Sequence, residues 1–365
     1  MSTYENLNGI NFSVGPVHMD NETKAIGSSD SPYFRTKEFS DITFENETLI
    51  KKMVNASNDS RVIFLTTSGT GAMEASVQNI FTPKDKVLII NGGSFGSRFV
   101  EICKIHNIPF EELLVNKGKQ IDAENLNNYK NKGFTGLIVN IHETSTGTLY
   151  DIKTLKKFCE EENLIFIVDS ISSFLADKYD MQENNIDVTI IGSQKGLSLP
   201  AGLAIIVVSN RAIERIQSNV VKSMYFDLKT YLKDGERGQT PFTPAVGIFL
   251  QLNEKLRRVD SLGIDHYINK VNELATYFRE KIKDYPFEIA SESLSNTVTP
   301  LYVKGNMKAH DLFEYLKDNY KIYLCPSGGD LKDTLIRVGH IGNLNKSDYD
   351  KLFKALDEMK EGNLI

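Results

Sequence analysis

Lys195 and Asp169 are the residues whose placement most needs a chemical reason. Asp169 closes the apolar run Leu164-Ile165-Phe166-Ile167-Val168, where a carboxylate is costly without a partner. Lys195 closes a second run, Val188-Thr189-Ile190-Ile191-Gly192-Ser193-Gln194. Each has an ordinary explanation: the acid as the cap of a turn, the lysine as a surface residue in a loop. Taken as a pair at corresponding ends of two strands, they fit one kind of chemistry. The amine condenses with an aldehyde to a Schiff base, and the acid keeps a pyridine nitrogen protonated.

Pyridoxal phosphate is the cofactor with that aldehyde and that ring. A protonated ring draws electrons from the substrate α-carbon, and a neighbouring carboxylate favours the charged nitrogen. Lys195, released when the substrate amine displaces it, then carries the proton, and burial near a cation lowers its pKa towards a useful base. A phosphate needs donors. Ser68-Gly69-Thr70-Gly71 follows the run Arg61 to Thr67 and opens a helical pattern, so helix-end N–H groups, two hydroxyls and two small glycines meet there. Plain helix capping explains the same segment. Neither a P-loop nor a Rossmann glycine pattern is present, which disfavours nucleotide cofactors.

Further clusters suit the same site. Phe95, inside Asn91-Gly92-Gly93-Ser94-Phe95-Gly96, can stack on a planar ring or serve as core. Thr144, in His142-Glu143-Thr144-Ser145-Thr146-Gly147, can reach a phenolic oxygen or belong to a polar turn. Arg337, within Leu335-Ile336-Arg337-Val338-Gly339, needs a partner for its guanidinium; a substrate carboxylate or a structural ion pair would serve.

These residues must be positioned by a scaffold. Between residues 61 and 208, Ile- and Val-rich runs alternate with stretches that repeat apolar residues at three- and four-residue steps. The alternation predicts an α/β fold, a mostly parallel sheet with helices on both faces. In such a sheet ligands bind at the carboxyl ends of the strands. After Pro244 the pattern changes to a long helical region broken at Gly263, then shorter strands and helices, predicting a smaller C-terminal α+β domain. The expected division is an N-terminal arm at 1–15, a large cofactor-binding domain at 16–255 and a small domain at 256–365.

The chain's 365 residues suffice for two domains. A net charge of −6 argues against a general nucleic-acid binder. Cys103, Cys159 and Cys325 are widely spaced, so neither a disulfide framework nor a metal site is expected. The N-terminus has no basic-then-apolar leader and no run approaches a membrane span, so the expected location is the cytoplasm, away from membranes.

The segments 68–75, Asn91-Gly92 with Phe95-Gly96 and Arg98, 143–147, Val168-Asp169-Ser170, 192–195 and 337–339, in this order, resemble the class V aminotransferases of PLP fold type I. The similar members are the alanine–glyoxylate, serine–pyruvate and 2-aminoethylphosphonate–pyruvate transaminases. The resemblance spans about Val14 to Gly342. It implies transfer of an amino group from a small amino acid or aminophosphonate to pyruvate or glyoxylate, in a homodimer with sites at the interface. It implies Lys195 as the Schiff-base lysine, Asp169 on the pyridine nitrogen, Phe95 on the ring and Thr144 near the phenolic oxygen. Ser68, Gly69, Thr70 and Gln194 would hold the phosphate, joined by Thr240 and Thr243 from the other subunit. Arg337 would bind the substrate α-carboxylate, with Gly15 lining the pocket. Two positions depart from the family pattern: Ile141 precedes His142 where relatives carry histidine, and Phe34-Arg35-Thr36 replaces His-Arg-Ser. Arg35 there suggests either a contact to a second anionic group or a surface salt bridge. Other class V chemistry, such as desulfuration through Cys325, and a non-catalytic binding role are the alternatives.

Overall fold

The computed structural model describes residues 9–365; of the expected arm at 1–15, residues 1–8 lie outside the described residues. The apolar runs form one seven-stranded sheet. Its strands are β1 (Arg61–Leu65), β2 (Val87–Asn91), β3 (Phe110–Leu114), β4 (Gly136–Asn140), β5 (Ile165–Asp169), β6 (Val188–Gly192) and β7 (Ala204–Val208), in spatial order β1-β7-β6-β5-β4-β2-β3. The ladders from β6 through β5, β4 and β2 to β3 are parallel, and β7 runs antiparallel to both of its neighbours. Every residue of β4 to β7 is buried, which requires cover on both faces. Two separate apolar clusters supply it.

Strand β3 is absent from the sequence reading. Its Phe-Glu-Glu-Leu-Leu sequence buries only Leu113. An edge strand has one neighbour and tolerates charge, so it lacks the apolar signature of the central strands.

Helices α1 (Lys37–Met53) and α4 (Ile152–Glu162) pack in one of the two apolar clusters, and α2 (Gly69–Ile80) and α3 (Ser94–Ile105) in the other. Helices α5 (Val246–Leu262) and α6 (Ile264–Lys281) part at Gly263, whose φ of +85° suits glycine. Phe249, Leu252, Leu256 and Val259 of α5 pack in the core of the large sheet. Leu274 and Phe278 of α6 pack in the core of a second sheet. That sheet is antiparallel, with strands β8 (Phe287–Ile289), β9 (Val298–Val303), β10 (Cys325–Pro326) and β11 (Leu335–Gly339) in order β8-β9-β11-β10. Helices α7 (Ala309–Tyr320) and α8 (Lys346–Glu361) complete the smaller C-terminal domain.

The N-terminal segment is built into this domain. Ile10–Asn11 pairs in parallel with Ile322–Tyr323, and Phe12 is wholly buried in the small core. Among the described residues, no helix is long and apolar enough to cross a membrane.

Candidate active site

The site gathers at the carboxyl ends of β4, β5 and β6. Asn140 and Asp169 end β4 and β5 in register. Asn140 Nδ2 donates to Asp169 Oδ2 at 2.8 Å, and the Ile171 N–H donates to Oδ1 at 2.8 Å. Burial pushes the Asp169 carboxyl up to about 6, against the pull of those two bonds. The carboxylate is therefore oriented and reluctant to hold its charge alone, a setting that favours a cationic partner.

Lys195 lies three residues past the end of β6 and is buried. Its Nζ donates to the Val14 carbonyl at 2.5 Å. Burial pushes the amine down to about 8; Arg337 and Arg98 add to that, while Cys325 and Asp169 oppose it. Gly15, with φ +122°, backs this amine, and a Cβ there would stand 2.6 Å from Lys195 Cδ. Only glycine fits both constraints.

Helix α2 starts at Gly69 with no side chain capping its end, which leaves backbone donors and the positive end of the helix dipole available. Ser68, Gly69, Thr70, Phe95, Asp169, Gln194 and Lys195 line one cavity of about 110 Å³. Gln194 Oε1 is buried without a partner. The glycines serve packing more than ligand approach: the space beside Gly69 is filled by Ile171 and that beside Gly71 by Thr67.

Phe95 is held by a cap that the sequence did not reveal. The buried Glu143 carboxylate accepts from the N–H groups of Phe95 at 3.2 Å and Gly96 at 3.0 Å. Ser145 donates to Glu143 at 2.5 Å and accepts from the Ser94 N–H at 3.1 Å. An acid at the first turn of α3 suits the helix dipole. Thr144, between them, is buried and donates to Ser172 Oγ at 2.7 Å.

Arg337 donates to the carbonyls of Thr144 at 2.9 Å and Pro326 at 2.8 Å, and its Nε has no partner. Among the described residues it forms no ion pair, so the structural pair considered from sequence is not what holds it. It faces a larger cavity of about 560 Å³ shared with Val14, Gly15, Phe95 and Lys195. Phe95 and Lys195 thus stand at the junction of the two spaces.

His142 lies deep beneath the site. Its ring nitrogens have no partner, and burial together with the nearby Lys195 charge pushes its pKa down to about 3. Thr240 and Thr243 line neither cavity of their own chain; Thr240 Oγ1 donates to the Phe242 carbonyl at 2.7 Å, and Thr243 is exposed. Among the described residues Arg35 meets no acid, which corrects the surface salt bridge; it donates to the carbonyls of Thr240 at 2.9 Å and Pro241 at 3.2 Å, clamping that segment.

Sequence reasoning missed Asn140, Ser172 and Val14. Asn140 had a signal, since it ends an apolar strand exactly as far along as Asp169 does. The others reach the site through tertiary contacts alone.

The family model described as Aminotransferase class-V matches residues 21–329. The chain is a class-V aminotransferase. Among curated relatives, an uncharacterized aminotransferase of Methanocaldococcus jannaschii is 32% identical over 314 residues, 84% of this chain and 81% of that one. A protein of a Synechococcus strain named as the small subunit of a soluble hydrogenase is 30% identical over 330 residues, 88% and 85% of the two chains. The crystal structure of ureidoglycine–glyoxylate aminotransferase from Bacillus subtilis superposes with a TM-score of 0.92 at 22% identity, covering 98% of this chain and 94% of that one, and shows the shared PLP fold type I. This aminotransferase depends on pyridoxal phosphate, and its residues suit that group. An oriented buried acid, a depressed amine, an uncapped helix end and an orphaned Gln194 oxygen meet in a single cavity.

Proposed function

We propose that this aminotransferase moves an amino group from a small donor (alanine, serine or 2-aminoethylphosphonate) to pyruvate or glyoxylate. The observation that carries the reading is the junction at Lys195, where the acid- and helix-lined cavity opens onto the space faced by Arg337. One cationic side chain of this kind, bound only to carbonyls, suits a single carboxylate held bidentately. Support for the acceptor comes from a relative of Arabidopsis thaliana, 25% identical over 345 residues, named serine–glyoxylate aminotransferase.

In this reading Lys195 carries the cofactor and Asp169 holds the proton on its ring nitrogen. Phe95 lies against the ring and Thr144 near its phenolic oxygen. Ser68, Gly69, Thr70 and Gln194 hold the phosphate; Arg337 binds the substrate carboxylate beside Gly15. Bound pyridoxal phosphate supplies an electron sink for negative charge at the substrate α-carbon. Once displaced by the substrate amine, the Lys195 amine would take the proton from the substrate α-carbon and deliver it to the carbon that had carried the aldehyde, a task its lowered pKa suits.

The enzyme acts as a homodimer in which Thr240 and Thr243 of each chain complete the other's phosphate site. Supporting this, Val220 and Met224 lie exposed beside Tyr225, whose ring stacks on Phe242 of the same segment at 5.1 Å. Its place is the cytoplasm, and its two domains divide near Gly263, past the boundary expected at 255–256, because α5 belongs to the large core.

The test is a panel of amino donors mixed with holoenzyme in single turnover, read by the cofactor's absorbance change. L-alanine, L-serine or 2-aminoethylphosphonate converts the cofactor, and Lys195→Ala abolishes conversion. Reaction with none of the three overturns the donor assignment; conversion by the alanine variant overturns the role of Lys195.

A further inference from the structure

Arg98 follows Phe95 by one turn of α3, so the two side chains share a helix face. Its guanidinium carbon stands 4.8 Å from the Phe95 ring centroid, and Nη1 donates to Thr70 Oγ1 at 2.9 Å. It lines the same cavity as Ser68, Gly69, Thr70 and Gln194. Among the described residues no carboxylate pairs with it, so its positive charge finds no counter-ion there.

The direction of the hydrogen bond matters. A guanidinium only donates, whereas a threonine hydroxyl has one hydrogen and two lone pairs. With Arg98 occupying a lone pair, the Thr70 hydrogen must point elsewhere. A helical threonine often gives it to the carbonyl four residues back. Here the residue four back, Thr66, lies before the start of the helix; its carbonyl accepts from the Tyr225 hydroxyl at 3.0 Å, and among the described residues it takes no bond from Thr70. The Thr70 hydrogen is left for an acceptor at the uncapped start of α2.

We propose that Arg98 is a positioning residue for the cofactor phosphate: it turns the Thr70 hydroxyl towards that anion and sets an uncompensated positive charge one hydrogen bond behind it. The inference rests on the reading that the phosphate sits at the start of α2. Its sequence signal is the arginine three residues after Phe95, which stood in the motif without a role.

Arg98 also leans on Phe95, and that contact would help any pyridine ring, with or without a phosphate. The discriminating measurement is therefore spectroscopic titration of the apo-enzyme with pyridoxal phosphate and, separately, with pyridoxal. Arg98→Met is expected to weaken pyridoxal phosphate binding by about tenfold, the scale of a lost bond to a charged acceptor, and pyridoxal binding by less than about twofold. Arg98→Lys, which keeps the charge and a donor, restores part of the loss. In a Thr70→Val background, Arg98→Met weakens binding by distinctly less than in the unaltered enzyme, because the hydroxyl it turns is gone and only its charge remains to be lost.

Equal weakening for both ligands overturns the proposal and leaves Arg98 as a support for Phe95. An undiminished effect in the Thr70→Val background also overturns it. Loss of phosphate selectivity in Thr70→Val without loss in Arg98→Met sinks the role of Arg98 alone. If the unaltered enzyme binds pyridoxal as tightly as pyridoxal phosphate, the phosphate site itself fails and the proposal with it. Should the methionine variant not fold, the lysine variant carries the same comparison.

Discussion

Asn140 Nδ2 lies 2.8 Å from Asp169 Oδ2, and the two residues face each other across neighbouring parallel strands at the same level. A polar pair at the end of two otherwise apolar strands fixes the carboxylate in direction before any ligand arrives.

Asn140→Leu leaves the buried Asp169 with only the Ile171 N–H as a described donor. Losing a hydrogen bond to a charged group costs about 1.5–3 kcal/mol, so kcat/KM is expected to fall roughly 10- to 100-fold. Steady-state kinetics check this, with circular dichroism to confirm the fold. Unchanged kinetics would mean that Asp169 needs no such help.

The amine of Lys195 attacks an aldehyde only when neutral. Because burial holds its pKa down to about 8, cofactor incorporation into apo-enzyme should accelerate with pH through about 8 and then level off. Linkage has the same sign. Between about 8 and the free lysine value of about 10.4 the unfolded chain binds more protons, so apo-enzyme stability rises with pH there. Lys195→Met removes that rise. Stopped-flow incorporation rates and thermal melts across pH provide the check.

Gly15→Ala places a Cβ against Lys195 at a backbone angle that L-residues rarely adopt. The expected result is a folded protein that takes up cofactor at least about tenfold more weakly, since strain at such sites costs on the order of 1–3 kcal/mol. Absorbance titration measures it. Wild-type uptake would show that the segment yields easily.

Glu143→Ala removes the acceptor for two N–H groups at the start of α3. Loss of a helix cap costs about 0.5–2 kcal/mol, and the buried donors left behind add to that. A lower Tm with a blunted cofactor spectrum is expected, because Phe95 and Arg98 both depend on that helix end.

Much of this site could be read in the chain, and the reason is geometric. The central strands are buried on both faces, so a charged residue at their ends, such as Asp169 or Lys195, stands out against an apolar background. Glu143 and Arg98 did not stand out, because their tasks depend on how a loop and a helix meet in space. Strand β3 was hidden by its glutamates. Thr240 and Thr243 enter only through family resemblance, since neither reaches a cavity of its own chain.

The first described residues hold two distant things at once. Ile10 to Phe12 are stitched to the small domain, and two residues later the Val14 carbonyl meets the Lys195 amine. Residues 10–14 are thus a short tether, so any swing of the small domain pulls on the acceptor that steadies the reactive nitrogen. Trimming back to Pro16 would cut that linkage and remove Phe12 from the core in the same stroke, so shortened forms should lose domain cohesion and control of the lysine together.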